Sequence, residues 1–81
     1  MKANLLDRFI KEQIQKIKHK DIKPDILLLS PKHKTKLQQD TKTSKNFAFD
    51  SYSHLMYLGL IVIESYGQKD CTICVSYTEL N

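Results

Sequence analysis

Pro24-Asp25-Ile26-Leu27-Leu28-Leu29-Ser30-Pro31 sets four consecutive branched apolar residues between two prolines. Four residues are too few for an independent helix, and Pro24 stops helical continuation while pushing Lys23 toward an extended backbone. Apolar side chains on both parities mean a strand, about 25–30, that is covered on both faces and is not an edge strand. Ser30-Pro31 then opens a helix. Serine accepts a hydrogen bond from an orphan N–H of the first turn, and proline at the first helical position forfeits an N–H that has no intrahelical partner. This helix, about 31–40, is poorly amphipathic, with Leu37 its one clear core residue, so tertiary contacts must hold it.

Upstream, Leu6, Ile10, Ile14 and Ile17, joined by Leu5 and Phe9, recur at the spacing of one apolar helical stripe and predict a helix over about 3–19. Asp7–Lys11 and Glu12–Lys16 place acid four residues before base, and Lys16, Lys18 and Lys20 crowd the C-terminal end where positive charge suits the helix dipole. Downstream, 41–56 reads as a loop within which 46–54 is either loop or short strand. Residues 57–65 read as a second strand with two apolar faces, Leu58, Leu60 and Val62 on one and Ile61 and Ile63 on the other. Residues 66–70 read as a hairpin turn, and 71–78 alternate cleanly as an edge or half-exposed strand. The expectation is a small α+β domain: helix, strand, helix, loop and a C-terminal hairpin over 57–78. Its three-stranded mixed sheet has the first two strands parallel through a right-handed crossover.

The chain has 81 residues, 41% of them hydrophobic, which suffices for one modest core and a single domain. Two glycines and two prolines argue against a disordered or fibrous chain, and two cysteines are too few for a disulfide scaffold. The first residues, Met1-Lys2-Ala3-Asn4, lead straight into the amphipathic stretch without the apolar region of a secretory signal. The longest nearly unbroken apolar run, Leu55 to Ile63, is far short of the roughly 20 residues of a membrane span. A cytoplasmic protein without a membrane contact is expected.

Chemistry is hard to assemble from these residues. Cys71-Thr72-Ile73-Cys74 has redox or zinc spacing, but in a strand the two Cα atoms lie about 10 Å apart, beyond disulfide reach. The histidines His19, His33 and His54 are scattered singly, so no second ligand pair completes a zinc site. Asp50-Ser51-Tyr52-Ser53-His54 has the residue types of nucleophilic catalysis without a nucleophile elbow or oxyanion turn, and reads as a polar loop. Pro24-Asp25 with Glu64 is a fragment of a metal-dependent nuclease pattern, but Tyr66 stands where its lysine belongs. No enzyme, cofactor, metal site or small-molecule substrate is therefore expected.

Charge and aromatic residues give the two binding readings. Residues 1–45 hold twelve basic and five acidic residues, whereas 46–81 hold one and four. Lys32, Lys34 and Lys36 on the second helix, with Lys42 and Lys45 beyond it, have the makings of a non-specific phosphate track. A single arginine among thirteen basic residues argues against base reading. Phe47, Phe49, Tyr52 and Tyr57 form the alternative, a set of aromatic anchors for a protein partner. The strands also carry more apolar face than one good helix can cover, which points to burial against another protein or a second copy.

The string Pro24-Asp25-Ile26-Leu27-Leu28-Leu29-Ser30-Pro31, then Leu37, then Leu58-Gly59-Leu60-Ile61-Val62-Ile63-Glu64-Ser65, resembles part of the central domain of tailed-phage major capsid proteins. It is also similar to short phage and prophage accessory proteins with the same strand–helix–strand layout. The chain departs from the capsid pattern at Lys34, where an aromatic residue is usual, and at Leu60, where proline is usual. At 81 residues it has no room for the spine helix and extended loop of a shell subunit. The resemblance implies shared architecture, a phage or mobile-element setting in the host cytoplasm, and a host or virion protein as partner. It implies no catalytic residue.

Overall fold

A computed structural model describes residues 2–66 and 72–75, the last four by their backbone alone. Helix α1 spans Ala3–Lys18, strand β1 Ile26–Leu29 and helix α2 Pro31–Gln39. A 3₁₀ turn at Ser44–Asn46 leads into β2 (Phe47–Phe49), β3 (Leu55–Tyr57), β4 (Leu60–Glu64) and β5 (Thr72–Val75). The first three elements lie where the sequence predicts them. Ser30 caps α2, its hydroxyl accepting from the His33 N–H at 3.2 Å, with Pro31 in the first helical turn. At the other end the buried Thr43 hydroxyl donates to the Leu37 carbonyl at 2.7 Å, satisfying a group the helix leaves open.

The strands form one mixed sheet of order β2-β3-β4-β1-β5. β1 is parallel to β4, as expected, with Ile26 opposite Ile61 and Leu28 opposite Ile63. The predicted C-terminal hairpin is corrected. β5 pairs antiparallel with β1, Ile26 opposite Val75 and Leu29 opposite Thr72, so β1 separates β4 from β5. The reason lies in β1 itself: an interior strand needs a ladder on both sides, and a hairpin between β4 and β5 would have left it at the edge. β5 takes the edge position that its alternation predicts. Of the predicted turn 66–70 and the predicted strand 71–78, residues 67–71 and 76–78 lie outside the described residues.

Two further boundaries change. The expected loop at 41–56 contains β2 and β3, an antiparallel hairpin with Phe47 opposite Tyr57 and Phe49 opposite Leu55. The expected strand 57–65 is interrupted at Leu58-Gly59, which have φ +51° and +82° and close a two-residue hairpin between β3 and β4. Positive φ at both positions gives the strands the twist they need, and it suits glycine while straining leucine. Leu58 is held there by packing against the core and by its N–H donating to the Asn46 carbonyl.

The core is one cluster: Leu6 and Ile10 of α1, Leu37 of α2, Leu27 and Leu29 of β1, Tyr57 of β3 and Leu60 of β4. Both helices thus lie on the same face of the sheet. Ile14 and Ile17 pack on its margin, while Leu5 and Phe9, read as part of the stripe, stand at the surface on its flank.

Candidate protein-interaction surface

Strand parity sorts the sheet into two faces. Leu27, Leu29, Leu60, Val62, Tyr57 and Phe47 point to the helices. The opposite parity holds Ile26, Leu28, Ala48, Met56, Ile61 and Ile63, every one of them apolar. They abut across the ladders, Ala48 beside Met56, Met56 beside Ile61, Ile61 beside Ile26 and Ile63 beside Leu28. Ile26 is buried, Leu28, Met56 and Ile61 are half-buried, Ala48 is exposed, and Ile63 is 41% exposed. Among the described residues no helix covers this face. The sequence reading of a surplus apolar face therefore acquires definite members.

The four aromatic candidates separate. Phe49 is 72% exposed and Tyr52 81%, at the end of the β2–β3 hairpin. Phe47 is half-buried, its ring meeting Tyr57 edge-on with centroids 4.7 Å apart. Tyr57 is fully buried, which removes it from any contact surface. The reason is its parity: opposite Phe47 and facing α1, it is a core ring with a polar tip.

That tip belongs to a network missed in the sequence. The Tyr57 hydroxyl donates to Asp7 Oδ1 at 2.5 Å, Asn46 Nδ2 donates to the same oxygen at 3.2 Å, and Lys11 Nζ lies 2.9 Å from Oδ2. The Asp7–Lys11 spacing is legible, but Asp7 reads as a surface residue and is buried. Burial alone would raise its carboxyl, yet the hydrogen bonds from Tyr57, Lys11 and Asn46 with the Lys11 charge outweigh it and hold the group below its ordinary value. Burial, and then the bond to Asp7, push the Tyr57 phenol well up. The cluster is a tie between α1, the 3₁₀ turn and β3.

A stability profile follows from this tie. With the folded carboxyl held below its unfolded value near 3.8, the contribution of Asp7 is complete above that value and is lost as pH falls through the lower folded one. The thermal midpoint should drop on acidification below about pH 4, and Asp7→Asn should flatten part of that drop. The surface carboxylates Asp50 and Glu64, also held low, supply another part. Circular dichroism melts across that range provide the measurement, and an unaltered slope in Asp7→Asn would assign the acid sensitivity elsewhere.

The Asp50–His54 segment is a turn locked by one carboxylate. Asp50 accepts from the Tyr52 and His54 N–H groups at 2.9 and 2.8 Å and lies 2.9 Å from His54 Nδ1. The bond from the His54 N–H is the largest cause of its lowered pKa. The carboxylate thereby closes its own turn at the end of the β2–β3 hairpin.

The five lysines of the nucleic-acid alternative also divide. Lys34 Nζ lies 2.6 Å from Glu64 Oε1, joining α2 to β4, and Tyr66 donates to the other oxygen of that carboxylate. Lys34 is thus paired within the fold, with its side chain 25% exposed. Lys32, Lys42 and Lys45 are exposed and Lys36 half-buried, all in α2 or the turns that follow it.

An open groove between the start of α1 and the end of α2 is lined by Lys2, Asn4, Leu5, Lys36, Gln39 and Asp40, mixing both signs of charge. Among the described residues no group of three His, Cys, Asp or Glu side chains is arranged to hold a metal ion. No described helix is long and apolar enough to cross a membrane. Comparison with family models, with curated proteins and with solved structures gives no match to this chain.

Proposed function

We propose that this chain is a protein-interaction domain whose contact surface is the sheet face opposite the helices. The observation that carries the reading is the composition of that face. Six neighbouring strand positions, Ile26, Leu28, Ala48, Met56, Ile61 and Ile63, are apolar, and the one cluster that holds both helices lies on the other side. A contiguous apolar surface of this kind marks an interface more often than a lone exposed leucine does. Phe49 and Tyr52 are secondary anchors on the hairpin, with Phe49 on the parity of the helical side. The phage or mobile-element setting belongs to the proposal and rests on the capsid resemblance alone.

A photo-crosslinking amino acid placed at position 63, and separately at position 42, tests the reading in cells. Protein adducts from position 63, with none from position 42, are expected. Nucleic-acid adducts from position 42 with none from 63 would replace it by the lysine-track alternative, whose binding must weaken steeply with salt.

A further inference from the structure

We infer that the outer face of α1 is a second contact surface, which holds the phosphate backbone of a nucleic acid without reading its sequence. This surface is separate from the open sheet face. The two lie on opposite sides of the molecule, so both can be occupied at once.

The placement of polar residues around α1 defines the surface. At 3.6 residues per turn, Arg8, Gln15 and His19 fall within about 40° of one another. They stand on the side of the helix away from Leu6, Ile10 and Ile17, which meet the core, and all three are exposed. With Lys11, Glu12 and Lys16 they line one shallow open groove. From Arg8 to His19 the groove runs about 17 Å at 1.5 Å per residue, long enough for an extended strand to lie along it.

The charge of this face is not cancelled within the fold. Lys11 is held 2.9 Å from the buried Asp7 carboxylate. Among the described residues Arg8, Lys16 and Lys18 take part in no ion pair. Glu12 is the one exposed acid of α1. Three cations against one carboxylate leave the face positive, in a chain of formal charge +4. Cations gathered along one helix are the electrostatic footprint of a phosphate track.

The make-up of the face selects the polyanion. Gln15 and His19 place neutral N–H donors between the cations, and phosphate oxygens accept from such groups as readily as from lysine. An anionic bilayer requires apolar side chains at the centre of the contact. Here Leu5 and Phe9, 46% and 40% exposed, stand about a quarter-turn to the side. Lysines beside a single arginine act as point charges, which grip a backbone and leave base edges unread.

Three phosphate contacts make a weak and salt-sensitive complex. The logarithm of the binding constant should fall by about 2.7 per decade of salt on duplex DNA and about 2 on a single strand. On duplex this amounts to a loss of about 20-fold between 50 and 150 mM salt.

Fluorescence anisotropy of the full chain with a labelled 20-base-pair DNA duplex and a 20-nucleotide single strand, from 20 to 200 mM salt, tests this. Vesicles containing phosphatidylserine and labelled polyglutamate are the comparison probes, and circular dichroism verifies folding. Arg8→Gln and Lys16→Gln lie at exposed helix positions, and each should reduce the salt slope by about one. Glu12→Gln removes the acid of the groove and should tighten binding about threefold at low salt. No binding at 20 mM salt, or slopes unchanged in both Arg8→Gln and Lys16→Gln, would overturn the inference. Binding to the vesicles alone, lost in Phe9→Ser, would replace nucleic acid by a membrane surface. Equal binding to polyglutamate would replace it by an acidic protein. A slope that falls with Lys42→Gln and not with Arg8→Gln would move the contact off α1 and overturn it equally.

Discussion

Tyr57→Ala is expected to leave little or no folded protein at 25 °C. The ring is fully buried in the core, and removing a buried aromatic side chain costs about 3–5 kcal/mol. The substitution also deprives the buried Asp7 carboxylate of its shortest donor, at 2.5 Å, adding about 1–3 kcal/mol. Small domains sit toward the low end of the roughly 5–15 kcal/mol available to folded proteins, so the sum approaches the total. Tyr57→Phe separates the two effects. It keeps the edge-on packing with Phe47 and removes only the hydroxyl, for an expected loss of about 1.5–3 kcal/mol, the worth of a hydrogen bond to a charged group. Urea titration followed by circular dichroism orders the series, wild type above Tyr57→Phe above Tyr57→Ala. A phenylalanine variant as stable as wild type would show that Asp7 finds equal compensation from Lys11 and Asn46.

Leu37→Ala should produce the next largest loss, about 2–5 kcal/mol. Leu37 is the one apolar side chain of α2 in the core, and it is fully buried. The Lys34–Glu64 pair, which also ties α2 to the sheet, has both side chains about a quarter exposed, so solvent screens it and it contributes far less than the buried leucine. Lys34→Ala therefore serves as the control. The two variants should differ by more than a factor of two in lost unfolding free energy from the same urea titration. Equal losses would mean that the ion pair, not burial, fastens the helix.

The elements written in short-range signals were legible. α1 follows from a 3.6-residue apolar stripe, and α2 begins at Ser30-Pro31 because cap and first-turn chemistry are local. β1 was readable as an interior strand because Ile26, Leu27, Leu28 and Leu29 leave no polar parity. Which strand lies beside it was not, because pairing is a non-local choice. The alternation of 57–65 also runs unbroken through Leu58-Gly59, so nothing in the period marks the turn. A hairpin of that type is ordinarily announced by Asn-Gly or Asp-Gly, and Leu58 is held in its place by packing. The candidate surface was half visible. Apolar excess pointed to a surplus face, whereas aromatic content alone does not separate the exposed Phe49 and Tyr52 from the half-buried Phe47 and the buried Tyr57. Tyr57 was misread because its direction depends on the register across that hidden turn. Asp7 was misread because an i,i+4 partner in Lys11 is equally compatible with a solvated face.

The central position of β1 also dictates when this sheet can form. Both of its ladders are made with strands that come later in the chain, β4 and β5, and Ile26 meets Val75 across a long sequence separation. During synthesis Ile26-Leu27-Leu28-Leu29 is made before either neighbour and has no ladder until β4 and β5 follow. Contacts of such long sequence separation slow folding, since the loop must be closed before the ladder rewards it. Completion of the sheet is therefore deferred until β5 has been made, and a nascent product that stops before β5 presents the most adhesive stretch of the sequence with one edge unpaired.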